Sequence, residues 1–90
     1  MNAVQNSLPV WNVVRNPNVC GGEPIIEGTR IPVSSIVSLW LAYRDYDRVR
    51  SAFPRLDRDA IDCALVYYQL HQPEIDRLIT DAAREAYATQ

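Results

Sequence analysis

Three prolines decide where the back of this chain can change direction. Pro32, Pro54 and Pro73 stand about twenty residues apart. Proline locks φ and lacks an amide donor, so a helix accepts it in the first turn and stops at it elsewhere. Pro32 therefore opens a first helix. Its apolar stripe is Val33, Ile36, Val37, Trp40 and Leu41, at i, i+3, i+4, i+7 and i+8. Arg44 and Asp45 break the stripe, and Asp45 caps a short second helix with Tyr46, Val49 and Phe53 inward. Pro54 ends it, because the residue before a proline is pushed out of the α region.

Asp57 then caps a third helix with Ile61, Ala64, Leu65 and Tyr68 inward. Pro73 opens a fourth with Ile75, Leu78, Ile79, Ala82 and Ala86 on one face. The second and third helices, joined at Phe53-Pro54-Arg55-Leu56, have the proportions of a helix-turn-helix. The expected fold is mainly α: a small bundle of three to four helices over residues 32–90. A strand-and-turn segment over residues 8–31 precedes it, and residues 1–90 form a single domain.

In that front segment Leu8 to Val14 is apolar and β-branched, so a short strand is expected, with Pro9 holding its start at an edge. Asn16-Pro17-Asn18 is turn chemistry, and Pro24-Ile25-Ile26 is a second extended piece. The run GGEPIIEGTRIPV, residues 21–33, is not a phosphate loop. The gap from Gly22 to Gly28 is one residue too long, and Arg30 follows Thr29 where a lysine should precede it. It reads as a corner. Gly28 takes positive φ, Thr29 bonds locally across the bend, and Arg30 reaches carboxylates on the second and third helices.

Composition removes several classes of chemistry. All nine basic residues are arginines, so Schiff-base lysine chemistry is excluded. Cys20, Cys63 and a single His71 cannot build a four-ligand zinc site, and no metal or cofactor is expected. His71 falls at the end of the third helix, and no nucleophile–base constellation is recognisable, so the chain is not expected to be an enzyme. No apolar run approaches membrane-spanning length, and a reduced, cytoplasmic setting is expected. A net charge of −2 does not advertise nucleic acid, although a local arginine patch can still hold it.

The run NPNVCGGEPIIEGTRIPVSSIV, followed by FPRLDRDAIDCALVYY and HQPEI, resembles the DUF433 family over about residues 12 to 76. The resemblance implies a homeodomain-like helical fold. It also implies a likeness to VapB-type antitoxins of toxin–antitoxin systems, with a PIN-like ribonuclease toxin as partner and autoregulatory binding of operator DNA. Gly28, Thr29 and Arg30 are a structural signature of that family with no catalytic role to carry over.

On the residues themselves, the DNA-facing candidates are Arg55 and Arg58, which can hold phosphate or read guanine. Arg44, Arg48 and Arg50 stand around the second helix, where backbone contacts fall. Asp59 and Asp62 share the outward face with Val66 and Gln69, so that surface is mixed rather than basic. A helix-turn-helix used only for packing is the alternative. The fourth helix either closes the bundle or lies in a partner's groove, and Arg77, Arg84 and Leu78 are its toxin-binding candidates. Its arginines would neutralise the acidic metal site of a PIN-like nuclease. A homodimer is expected, with the Leu8–Val14 edge pairing across the two-fold axis. The competing reading of the whole chain is a dimeric protein-interaction module that does not bind DNA.

Overall fold

A computed structural model describes residues 10–88. Two short strands, β1 (Val13–Val14) and β2 (Ile25–Ile26), pair antiparallel with Val13 opposite Ile26 and Val14 opposite Ile25. Four helices follow: α1 (Val33–Tyr43), α2 (Tyr46–Ala52), α3 (Arg58–Leu70) and α4 (Gln72–Ala88). α1 lies at the centre, packed against each of the other three.

The mainly helical architecture expected from the proline spacing is the one observed. β1 is shorter than the expected strand, and Leu8 and Pro9 lie outside the described residues. Its length is set by its partner: Pro24 has no amide to donate, and the chain turns at Glu27–Gly28, so β2 offers only two residues. One further bond, from the Glu27 amide to the Asn12 carbonyl at 2.8 Å, closes the hairpin. β1 takes β2 as its partner along one edge, and no strand among the described residues pairs with its other edge.

The corner is built by Thr29. Gly28 takes φ 82°, a left-handed value that favours glycine. The buried Thr29 hydroxyl, 8% exposed as a residue, donates to the Ile26 carbonyl at 2.7 Å and accepts from the Ile31 amide at 3.0 Å. The Ile26 amide then donates to the Ile31 carbonyl at 3.0 Å and the Val33 amide to the Pro24 carbonyl at 2.9 Å, which ties the start of α1 to β2. Arg30 does not lock this corner. Its side chain is exposed and makes no hydrogen bond or ion pair with the described residues; only its carbonyl is used, accepting from Cys20 Sγ at 3.3 Å. The bend turns it to solvent. The arginine that reaches the corner is Arg55, whose Nη2 donates to the Gly28 carbonyl at 3.2 Å.

Both expected caps form: the Asp45 carboxylate accepts from the Asp47 amide, and the Asp57 carboxylate from the Ala60 amide. The core takes Ile26 from β2, Val33, Ile36 and Val37 from α1, Val49 from α2, Ala60, Ile61 and Ala64 from α3, and Ile75 from α4. Leu56 joins them from the α2–α3 turn, where the sequence pattern gave no reason to place a core residue. Leu41 is 41% exposed because it stands on the rim of its stripe in the last turn of α1.

α4 departs most from expectation. Ile75 is buried, Leu78 and Ile79 are half-buried, and every side chain from Thr80 to Tyr87 is exposed, Ala82 and Ala86 included. The stripe closes the bundle only through its first half. The reason is length: eleven residues of α1 span about 16 Å and seventeen of α4 about 25 Å, so α4 outruns its support.

Thr29→Val keeps the shape of the side chain and leaves the Ile31 amide unpaired. It is expected to lower unfolding free energy by about 2–3 kcal/mol in urea titrations, and Thr29→Ser by less than about 1 kcal/mol. Arg44, the residue that ends α1, sits in the left-handed region at φ 52°. Arg44→Gly is expected to raise stability by roughly 0.5–1 kcal/mol in the same measurement.

Candidate interaction surfaces

α2, the turn through Asp57, and α3 form the expected helix-turn-helix, and the fold itself engages most of its arginines. The Arg50 Nε donates to the Leu56 carbonyl at 3.1 Å, holding the turn to α2. Arg55 ties that same turn to the Gly28 corner. The Arg58 guanidinium lies over the Tyr46 ring at 4.1 Å, and that ring meets Trp40 at 4.8 Å, so a cation and two rings join α3, α2 and α1. The Tyr46 hydroxyl donates to Asp62 on α3. Arg48 lies over Tyr43 at 4.8 Å. Arg44, at the α1–α2 junction, acts electrostatically on Tyr68.

The five DNA-binding candidates are thus brought around one structural unit. Four of them, Arg48, Arg50, Arg55 and Arg58, are positioned by partners in their own chain. What α3 turns outward is Asp59, Asp62, Val66, Gln69 and Leu70, all exposed; Val66 is 56% and Leu70 74% exposed. With Arg58 drawn onto Tyr46, that face carries carboxylates and aliphatic groups.

The toxin-binding candidates do not share a face. At about 100° per residue, Arg77 and Arg84 fall roughly opposite Ile75 on α4, whereas Leu78 lies about 60° from it. Leu78 accordingly packs toward the body and both arginines face solvent.

A third cluster escaped sequence reasoning. The Arg15 Nη2 donates to the Tyr67 hydroxyl at 2.9 Å and pairs with Glu74, tying the β1 end to α3 and α4. The Glu74 bond, and secondarily the Tyr67 bond, holds the Arg15 guanidinium above its ordinary pKa. Tyr67 stacks on His71 at 4.1 Å, and His71 ends α3 as expected, exposed, its amide donating to the Tyr67 and Tyr68 carbonyls. The Tyr68 hydroxyl donates to Asp76 at 2.7 Å. No local pattern joins Arg15 to a residue fifty-nine positions away. Cys63 donates to the Trp11 carbonyl at 3.4 Å, and burial pushes its thiol pKa up. Among the described residues no three His, Cys, Asp or Glu side chains gather as a metal site.

The chain is a small, mainly helical domain of four helices with a two-strand hairpin and a Gly-Thr-Arg corner. The DUF433 pattern, described as protein of unknown function, matches residues 13–68, and the chain belongs to that family. A crystal structure of a DUF433 member from Anabaena variabilis superposes with TM-score 0.71 at 30% identity, covering 88% of this chain and 76% of that one. The uncharacterized protein y4eO of Sinorhizobium fredii is 34% identical over 55 residues, 61% of this chain. The aligned part is 25% of y4eO, so the chain spans about a quarter of that relative's length.

Tyr68 gives a pH test of the α3–α4 junction. Its hydroxyl donates to Asp76, and this bond, with burial, raises the phenol pKa above its ordinary value. A raised folded pKa stabilises below the unfolded value, and that stability disappears as pH rises through the folded one. Stability should therefore fall above about pH 10, and Tyr68→Phe or Asp76→Asn should flatten that limb in denaturant titrations across alkaline pH.

Proposed function

We propose that this domain is a protein-binding module of antitoxin type, in which the helix-turn-helix is scaffold and the outer half of α4 enters a partner's groove. The observation that carries the reading is the overhang of α4. Ile79, Ala82 and Ala86 continue the line of Ile75 past the end of the bundle, so an apolar stripe that begins in the core runs out into solvent. Alanines on such a stripe let a partner's backbone approach closely, the usual requirement of a helix laid in a groove.

The partner class is the one the resemblance implies, a PIN-like ribonuclease toxin. Contact is assigned to the apolar stripe; Arg77 and Arg84, on the opposite face, are not the groups that reach the nuclease metal site. Operator DNA has no part in this reading. The arginines that would read it stack on Tyr46 and Tyr43 or bond to Leu56 and Gly28, and Asp59 and Asp62 would face phosphate.

The test is co-expression with a PIN-like ribonuclease, reading inhibition of RNA cleavage. Ala82→Glu is expected to weaken inhibition at least tenfold or so by burying a charge in the groove, while Arg77→Ala and Arg84→Ala leave it within about threefold. Full inhibition by Ala82→Glu sinks the assignment. A mobility shift on the chain's own upstream DNA should show no sequence-preferring, salt-sensitive complex. A complex that disappears in Arg58→Glu, with the circular dichroism spectrum unchanged, restores the DNA reader.

A further inference from the structure

We infer that the groove which takes the outer half of α4 carries an arginine or lysine on one wall, placed to pair with Glu85. The inference rests on the proposed reading of α4 as the binding element and names the chemistry of what it binds. The borders of the stripe follow from a rotation of about 100° per residue. With the line through Ile79, Ala82 and Ala86 as centre, Glu85 stands roughly 90° to one side and Tyr87 roughly 105° to the other. The two are about 3 Å apart along the axis, so both border the stripe at the level of Ala86. Both are exposed. One border is thus acidic, and the other, Ala83 and Tyr87, carries no charge.

The charges on this part of α4 are not evenly matched. Asp81 lies four residues after Arg77 and three before Arg84, so two guanidiniums of its own helix balance it. Glu85 has no such neighbour. Three and four residues from it stand Ala82, Asp81, Ala88 and Thr89, and the one charge among them has the same sign. Arg84 is adjacent in sequence but about 100° round the helix. Glu85 also makes no hydrogen bond or ion pair with the described residues. Seating the stripe in a groove strips water from the near side of this carboxylate, which costs free energy unless a partner replaces it. A cation on the wall does so and relieves the repulsion from Asp81.

A second copy of the chain does not supply that cation. In an antiparallel two-fold contact of α4 on α4 through the stripe, each border meets its own equivalent. Setting Ile79 opposite Ala86 of the other copy brings Glu85 within one residue's rise of the second Asp81, so acid faces acid. The occupant is a different protein, with an apolar floor and a basic residue on the Glu85 wall. The same pairing fixes the direction of the helix. Run the other way through the groove, α4 would turn Tyr87 to the basic wall and Glu85 to the opposite one.

The test uses the full chain with a PIN-like ribonuclease as the probe, reading inhibition of RNA cleavage. Glu85→Arg should weaken inhibition at least about tenfold and Glu85→Gln about threefold, with Asp81→Asn within about twofold. Glu85→Arg places an opposite charge four residues after Asp81, which favours the helix, and an unchanged circular dichroism spectrum confirms that the helix is intact. Added salt should cost the unaltered chain more than Glu85→Gln. Changing one basic residue of the ribonuclease groove to an acid should restore inhibition by Glu85→Arg. Loss of inhibition in Ala82→Glu with none in Glu85→Arg overturns the basic wall and leaves the reading of α4 intact. If neither change matters, the reading of α4 fails and the inference falls with it. A chain that dimerises alone in sedimentation equilibrium, and becomes monomeric in Ala82→Glu, gives the stripe to a second copy and also overturns the inference.

Discussion

The Thr29 hydroxyl is the interaction on which the rest of the fold depends. It sits in a buried bend and serves two backbone groups, donating to the Ile26 carbonyl, which also accepts from the Thr29 amide, and accepting from the Ile31 amide. That double role steadies the bend in which the chain leaves β2, turns through Gly28 and returns for Val33 to start α1 against Pro24. Everything downstream is referred to α1, which touches all three other helices. The corner is thus the reference from which the bundle is oriented, and Arg55 fastens the helix-turn-helix back onto it through the Gly28 carbonyl. Its glycine and threonine are each explained by geometry; its arginine side chain is not, since Arg30 points away from the body.

What could be read from the sequence was what local chemistry determines. Caps at Asp45 and Asp57, the proline-set starts and stops, the positive φ of Gly28 and the inward stripes of α1 and α3, Leu41 excepted, all depend on neighbours within a few residues, and all are present. Four features were not legible because each depends on a distance the sequence does not encode. Arg15 meets Glu74 only once the β1 end, α3 and α4 have packed together. Leu56 is buried in the common core although it lies in the turn between α2 and α3. Arg55, not Arg30, is the arginine that bonds across the Gly28 corner. The stripe of α4 runs on beyond the bundle because a helical repeat says which face is apolar and nothing about how far the partner helices extend.

The arginine-only composition acquires a structural meaning here. Arg58 lies over the Tyr46 ring, which meets Trp40, and Arg48 lies over Tyr43. A planar guanidinium can stack on a ring and keep edge donors for other bonds, whereas an ammonium is a compact, strongly hydrated charge that stacks less well. Lysine at position 58 would loosen the seam between α3 and α2. The same contacts separate architecture from function. A helix-turn-helix is a way of packing two short helices against a third, and it reads DNA only if the outward side of its second helix is dressed for the task. Here that side displays Asp59, Asp62, Val66 and Leu70.

The outer half of α4 raises a physical question of its own, since its side chains from Thr80 to Tyr87 are exposed and the segment gains little from packing against the described residues. Isolated helical segments shorter than about twelve residues are marginal in water, but this one is continuous with a first half fixed by Ile75 against the core, so nucleation is already done. Its sequence from Asp81 to Ala86 is almost all strong helix formers: Ala82, Ala83, Arg84, Glu85 and Ala86. Propagation along such residues needs little help. The consequence is a stripe that is exposed yet already shaped, so a partner docking on it would not have to order the helix as well. Preorganisation of this kind lowers the entropic cost of association, which lets a few alanines and one isoleucine act as a binding edge despite their small area. A disordered tail of the same composition would lose most of that advantage, and here the anchor at Ile75 makes the difference.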